Sequence, residues 1–97
     1  MAGSISTHVL DTDLGRPRSG VRVTLSYGDE LVASGETDAD GRIRDLATGL
    51  AVGIYRLAFE VPSPFFGRVV LEIHVSDGHQ HVPLVFSRYA ISSYRGS

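Results

Sequence analysis

The chain of 97 residues is long enough for one domain, and a domain of this size buries only a modest fraction of its surface, so assembly with further copies would add stability. Nine basic and eleven acidic residues leave a formal net charge of −2, with no basic block to follow a phosphate backbone, so nucleic acid is not an expected partner. The chain has no cysteine, which excludes disulfides and thiolate metal ligands.

The N-terminus and the hydropathy of the chain predict a cytoplasmic protein. Residues 1–4 supply neither the apolar segment nor the basic flank of a signal peptide. No apolar run approaches the roughly 20 residues that a membrane-spanning helix needs. We therefore expect no membrane partner.

Alternation of apolar and polar side chains predicts strands in the first part of the chain. Ile5 and Val9 share one face of the first predicted strand, and His8 lies on the opposite face. Two further strands, 21–26 and 31–36, form a hairpin across a glycine-containing turn. A loop with glycine and proline joins the first strand to this hairpin.

The middle of the chain places two arginines on one face. After a turn at residues 37–41, Arg42 and Arg44 project to the same side of an extended segment, while Ile43 enters the core. Glycine at both ends of residues 49–53 predicts a break.

The second half of the chain contains two more alternating runs. Residues 55–61 carry an apolar side chain at every second position until Pro62, and residues 69–75 repeat the pattern. No stretch has reliable helical periodicity. About eight short strands separated by turn residues therefore predict an all-β sandwich of two sheets, formed by a single domain of residues 1–97.

The last predicted element is a hairpin that ends in a polar cluster. The apolar side chains of its first strand face the core, so His79 and His81 face away from it. A turn at residues 87–90 allows a second short strand, 91–95, to return beside the first. This return brings the final residues back towards the two histidines.

Three predicted strands thus place a basic or imidazole side chain opposite the core, at His8, Arg42 and His81. Such a face is either solvated surface or the lining of a site, and alternation alone favours solvated surface. His79 and His81 on one strand face can bind a transition metal. However, tetrahedral zinc needs three or four ligands and the chain has no thiolate, so we expect no metal.

Four motifs in collinear order resemble the 5-hydroxyisourate hydrolases, a family related to transthyretin. They lie at residues 6–11, 38–42, 81–83 and 94–97. The resemblance implies a transthyretin-like (prealbumin-like) β-sandwich and a homotetramer, a dimer of dimers, whose central channel is lined by the outward faces. It also implies hydrolysis of 5-hydroxyisourate, a purine-derived small molecule, to 2-oxo-4-hydroxy-4-carboxy-5-ureidoimidazoline in urate degradation, with no cofactor.

Carried over position by position, the resemblance implies that His8, Arg42 and His81 are catalytic. The histidines would activate water and relay its proton, because their ordinary pKa of roughly 6.5 suits proton transfer near neutral pH. Arg42 would stabilise the developing negative charge. Arg44 is its rival on the same face, but Arg42 directly follows the glycine of the motif.

The terminal tetrapeptide is implied to bind substrate, and its members are Tyr94, Arg95, Gly96 and Ser97. Ser97 is also a conceivable nucleophile beside His81. The family is thought to activate water directly, so we interpret Ser97 as a substrate ligand.

The chain departs from the family pattern at three places, one of which is Ala90-Ile91, where the family is more polar. The segment at residues 60–66 lacks the longer insertion of relatives, so we expect their short edge helix to be missing or much reduced. Arg88 also replaces the proline that usually follows Ser87.

Leu10 and Val85, apolar on the outward face, are expected to be buried between subunits.

Two alternatives to an enzyme remain open at the level of sequence. A non-catalytic ligand-binding module, as in transthyretin itself, would keep the architecture and the channel while tolerating loss of the implied catalytic residues. A structural or adhesion sandwich would be monomeric, with those side chains scattered over its surface.

Overall fold

The computed structural model describes residues 2–97, and the regular structure in this range consists of β-strands without a helix. The strands are β1 (Gly3–Asp11), β2 (Arg16–Pro17), β3 (Arg22–Tyr27), β4 (Glu30–Glu36), β5 (Arg42–Leu50), β6 (Gly53–Glu60), β7 (Arg68–Val75), β8 (Gly78–Phe86) and β9 (Ile91–Ser93). The predicted all-β class is confirmed, and β6 connects to β7 without an edge helix. Over the same residues, nothing offers a helix with the length and hydropathy that membrane crossing requires.

The strands form two sheets. One has the order β2-β1-β8-β9, with β5 also paired to β1, and the other has the order β4-β3-β6-β7. β1 and β8 run parallel, whereas the other strand pairs of the described chain are antiparallel. β1 therefore lies between β8 and β5, so side chains from the start, middle and end of the sequence meet around one strand.

The core lies between the two sheets and follows the predicted alternation. The side chains with no exposed surface come from both sheets and include Ile5, Val9, Val23, Leu25, Leu57, Phe59 and Leu84. Full burial of a large apolar side chain stabilises the fold by roughly 1.5–3 kcal/mol. Because successive strand residues point to opposite faces, this packing turns the intervening residues of β1, β5 and β8 away from the core.

Three details of the strands differ from the sequence prediction, and one is that the terminal strand β9 ends at Ser93 rather than at residue 95. Arg16 and Pro17, predicted to lie in a loop, form the short strand β2 at the edge of a sheet, a position where proline's missing N–H is tolerated. The predicted break at residues 49–53 is narrower, because β5 continues to Leu50. Its register on β1 shifts twice, and such bulges accommodate the extra residues of β5.

Candidate active site

A polar cavity of about 270 Å³ opens where β1, β5 and β8 lie side by side. Its lining consists of Ser6, Thr7, Arg42, Arg44, His79, His81 and Ser97. This lining carries two guanidinium groups and two imidazoles, and within the described residues it includes no carboxylate side chain. The cavity therefore suits a ligand with electron-rich oxygens or partial negative charge.

Strand register explains why these side chains meet. In the parallel pair of β1 and β8, Ser6 lies opposite His81. Two residues earlier on each strand, Ser4 lies opposite His79 on the same outward face. On the other side of β1, His8 lies opposite Arg42 of β5. One strand thus aligns the serine and histidine groups of β8 with the arginine of β5.

A series of side-chain hydrogen bonds orients the two histidines of β8. The Ser6 hydroxyl lies 2.7 Å from His81 Nδ1 and 2.7 Å from His79 Nε2. The second nitrogen of the same ring, His79 Nδ1, lies 2.6 Å from Ser4 Oγ. Both rings are therefore held by β1, and the remaining nitrogen of His81, Nε2, is left for a ligand or a water molecule.

Burial and positive charge act together on His81. Burial lowers the pKa of His81 below its ordinary value of 6.5, and the positive charge of Arg42 and the neighbouring His8 and His79 lower it further. The neutral imidazole is thus favoured near neutral pH, and a neutral imidazole is the form that can accept a proton.

A tight turn before β5 positions Arg42. The Asp38 carboxylate accepts hydrogen bonds from the backbone N–H groups of Asp40 and Arg42, each at 2.9 Å. The Arg42 N–H is the main reason why the pKa of Asp38 is lowered. Burial opposes the shift, while the Asp40 N–H and the charges of Arg44 and Arg42 add to it. The Asp40 carbonyl in turn accepts a hydrogen bond from His8 Nε2 at 3.0 Å, so one turn orients both Arg42 and His8.

Gly41 is required in this turn on two grounds. Its φ of +74° lies in the left-handed region that glycine adopts readily. A β-carbon at this position would also lie 2.6 Å from the Val9 carbonyl oxygen, and the Gly41 carbonyl accepts a hydrogen bond from the Val9 N–H at 2.7 Å. The glycine therefore lets the turn approach β1 closely enough to bring Arg42 beside His8.

The terminal segment divides between two cavities. The Gly96 N–H donates to the His81 carbonyl at 2.8 Å, and Ser97 lines the polar cavity. Tyr94 and Arg95 instead line a separate cavity of about 320 Å³ beside β7 and β8. Within a single chain, the structure therefore brings Gly96 and Ser97 to the histidines but not the two residues before them.

His8 and Arg44 are the remaining residues that the sequence placed at or near the site. His8 does not line the cavity but lies next to Arg42 in the strand register. Arg44 shares the lining with Arg42, so the geometry keeps both arginines at the site. Across residues 2–97, no three side chains of His, Cys, Asp or Glu cluster in a way that could hold a metal ion.

Sequence reasoning missed the contribution of Ser6 and the link from it to His79. Alternation placed Ser6 and His81 on outward faces, which was the available signal. Their contact depends on the parallel pairing of β1 with β8, and strands more than 60 residues apart in sequence carry no local mark of such pairing.

The fold and the cavity together define a β-sandwich of the transthyretin type with a cationic, histidine-containing pocket on one sheet. The chain belongs to the HIUase/Transthyretin family, whose family model matches residues 5–96. The predicted resemblance is thereby confirmed.

Individual relatives match along nearly their whole length. The chain is 42% identical to the 5-hydroxyisourate hydrolase of Caulobacter vibrioides, covering 96% of this chain and 97% of that protein. It is 38% identical to 5-hydroxyisourate hydrolase 2 of Rhizobium meliloti, covering 99% and 98%. Among solved structures, Klebsiella pneumoniae 5-hydroxyisourate hydrolase matches with a TM-score of 0.90 at 33% identity, covering 98% of this chain and 99% of that one.

Sea bream transthyretin, solved in complex with thyroxine, matches with a TM-score of 0.86 at 23% identity, covering 96% of this chain and 94% of that chain. At this identity the likeness concerns the fold alone. It confirms the predicted transthyretin-like architecture.

Proposed function

We propose that this protein is a 5-hydroxyisourate hydrolase of urate degradation, which opens the ring amide of its substrate with water to give 2-oxo-4-hydroxy-4-carboxy-5-ureidoimidazoline. The observation that carries the proposal is the convergence of Arg42, His81 and Ser97 on one cavity, with His8 beside Arg42. The full-length similarity to proteins named 5-hydroxyisourate hydrolase supports the choice of substrate.

The proposed reaction begins when a neutral histidine removes a proton from water. We assign this step to His81, because burial and neighbouring positive charge favour its neutral form and, among residues 2–97, no hydrogen bond to its Nε2 is present. The water oxygen adds to the amide carbon, and Arg42 stabilises the negative charge that develops on the carbonyl oxygen. The carbon–nitrogen bond then breaks, and the leaving nitrogen takes up a proton through His81 or His8.

Substrate orientation is the proposed role of the C-terminal segment. Ser97 offers a hydroxyl at the cavity, and Gly96 holds the segment against His81. Tyr94 and Arg95 lie outside the cavity of their own chain, so their proposed substrate contacts depend on assembly.

We propose a homotetramer as the active form. The cavity is open on the outward face of a sheet, and a covering subunit would exclude water and strengthen the electrostatic interactions inside it. Leu10 and Val85 lie opposite each other in the β1–β8 register on this face and would be buried by such a contact.

The expected cytoplasmic location stays a prediction.

The test is the decay of freshly generated 5-hydroxyisourate, followed by absorbance with and without protein. We expect the purified protein to accelerate decay, and His81→Ala to lower kcat/KM by about 10²–10⁴-fold, the usual contribution of a positioned base. Arg42→Ala should lose about 10²–10³-fold, as for removal of an oxyanion donor.

Matched controls are His74→Ala and Arg56→Ala, which change the same residue types on the other sheet. Both should retain full activity. Equal decay in the presence and absence of wild-type protein would contradict the hydrolase. Binding of the substrate without turnover would favour the non-catalytic ligand-binding module instead.

A further inference from the structure

The hydrogen bonds among His81, Ser6, His79 and Ser4 form an unbroken series that runs from half-buried His81 to exposed His79 and ends at Ser4. Ser6, in the middle, is buried with 6% of its surface exposed, and its hydroxyl lies at 2.7 Å from one nitrogen of each imidazole. His79, in contrast, is exposed, and its second nitrogen contacts Ser4 at 2.6 Å. The series therefore joins the half-buried His81, through buried Ser6, to the exposed His79 by side chains alone.

Proton counting limits this series to two arrangements when both imidazoles are neutral. A hydroxyl has one proton, so Ser6 donates to one imidazole and accepts from the other. In the first arrangement His81 Nδ1–H donates to Ser6, Ser6 donates to His79 Nε2, and His79 Nδ1–H donates to Ser4. This leaves a lone pair on His81 Nε2, as a base requires. In the second arrangement every bond is reversed, and His81 Nε2 carries a proton, as an acid requires.

We propose that Ser6 and His79 act as a proton relay that connects His81 to solvent and interconverts its base and acid forms during hydrolysis. The proposal deepens the proposed function and depends on it for the assignment of His81. Both relay residues are positioning residues, because they act through His81 rather than on the substrate.

The proton balance is complete at each step. When His81 Nε2 takes a proton from water, its Nδ1 proton passes to Ser6, the Ser6 proton passes to His79 Nε2, and the His79 Nδ1 proton passes through Ser4 to bulk water. The series is then in its second arrangement, with His81 Nε2–H ready to donate to the leaving nitrogen. That donation draws a proton back along the same path and restores the first arrangement.

The charges around His81 explain why removing the proton is favourable. Positive or titratable groups near His81 come from three strands: His8 on β1, Arg42 and Arg44 on β5, and His79 on β8 itself. An imidazolium stored at this position would be repelled by the arginines. Export of the proton leaves His81 neutral while the substrate reacts.

The test compares Ser6→Ala and His79→Gln with wild type in the decay of 5-hydroxyisourate, in buffers with and without added imidazole. We expect kcat to fall by roughly 10-fold, less than the 10²–10⁴-fold expected for loss of the base itself, with KM little changed. Added imidazole should restore kcat in the variants by accepting the proton from His81 directly. Wild type should be insensitive to imidazole concentration.

A merely structural role would give a different result. Loss of kcat that imidazole does not restore, or an unchanged kcat in both variants, would overturn the relay. Ser6→Thr, which keeps the hydroxyl, should retain more activity than Ser6→Ala, and His74→Gln is the control for a histidine elsewhere in the fold. Thermal unfolding of each variant verifies that the protein is folded.

A second readout does not need turnover. Nitrogen NMR of the imidazole rings reports which nitrogen of His81 carries the proton, and we expect the distribution to change in Ser6→Ala and in His79→Gln. If wild type fails to hydrolyse 5-hydroxyisourate while these shifts occur, the proposed function is wrong and the coupled hydrogen-bond series stands. If the His81 signals are unaffected in both variants, the coupled series is wrong whatever the activity.

Discussion

Single atoms decide the geometry around His81. The imidazole is held from one side by Ser6 and from the other by the terminal segment, in which Gly96 packs directly on the ring. A β-carbon at Gly96 would lie 2.6 Å from His81 Cδ2 and 3.3 Å from Pro83 Cγ. The glycine of the terminal tetrapeptide is therefore needed for close approach rather than for a special backbone angle.

Gly96→Ala should displace either His81 or the terminal segment. Misplacement of a catalytic group by about 1 Å can cost on the order of 10²-fold, so we expect kcat/KM to fall by about 10- to 100-fold. Gly67→Ala is the matched control, because a β-carbon there meets no atom within 4 Å. Full activity of Gly96→Ala in the absorbance assay would show that the contact is not needed.

The lowered pKa of His81 predicts how activity depends on pH. The acid limb of kcat/KM should inflect below 6.5, because the base stays neutral below its ordinary pKa. Burial is the main cause, so Arg42→Gln should raise the pKa of His81 only part of the way back. Proton NMR titration of the ring measures this pKa directly, with Arg56→Gln as the control. An inflection above 6.5 would contradict the environment described for His81.

The same shift has a consequence for stability. Because the folded state favours neutral His81, the unfolded chain binds more protons once the pH drops below 6.5. The contribution of this group to the free energy of unfolding therefore declines as the pH falls from 6.5 towards the lowered pKa of the folded state.

At the scale of elements, the site depends on two long-range strand pairings and one turn. The turn is the more easily tested, because Asp38 organises it through two backbone N–H groups. Asp38→Ala should release both Arg42 and His8 and lower kcat/KM by about 10-fold or more, as expected when catalytic groups lose their alignment. Asp38→Asn keeps an oxygen acceptor and should retain more activity.

The control for the turn is Asp29→Ala, which removes an exposed aspartate from the β3–β4 turn. It should leave kcat/KM unchanged. Equal activity of wild type and Asp38→Ala would mean that Arg42 is positioned without the turn.

At Arg88, where the resemblance predicted proline in relatives, this chain forms hydrogen bonds through its backbone. The backbone N–H of Arg88 donates to Asp13 Oδ2 at 2.7 Å, a bond that proline at this position could not make. The Arg88 carbonyl accepts a hydrogen bond from Ser63 Oγ at 2.7 Å. The Ser63 oxygen also accepts hydrogen bonds from the N–H groups of Phe65 and Phe66. Through Ser63, the segment at residues 60–66 is therefore hydrogen-bonded to the turn after β8.

The sequence predicts some strands of the molecule better than others. Alternation predicted the core faces of β1 and β8 and the outward positions of His8 and His81, because side-chain direction is a local property of a strand. It missed β2 and the full length of β5, since both depend on pairing with β1. The Ser6 contacts and the separation of Tyr94 from Ser97 were also out of reach, because they follow from how distant segments pack.

At the scale of the whole molecule, the outward face of the five-stranded sheet is the proposed contact surface between subunits. It carries the open cavity together with the adjacent Leu10 and Val85. Replacement of Val85 by glutamate should shift the protein from the proposed tetramer to smaller species, because a charge would be buried without a partner. Light scattering after size-exclusion chromatography measures this shift.

Val32→Glu is the control for Val85→Glu, since Val32 is an exposed valine on the other sheet. We expect it to leave the molecular mass unchanged. A wild-type protein that is monomeric at working concentration would contradict the proposed assembly, and with it the covering of the cavity by a second subunit.

That residues 1–97 form one domain also stays a prediction.

In the proposed function, the cavity among β1, β5 and β8 hydrolyses 5-hydroxyisourate through His81. The most direct measurement is the initial rate of substrate decay for wild type and His81→Ala at equal concentration, with the uncatalysed decay as the baseline. We expect strong acceleration by wild type and decay near the baseline for His81→Ala. Equal rates for the two proteins, or no acceleration by either, would contradict it.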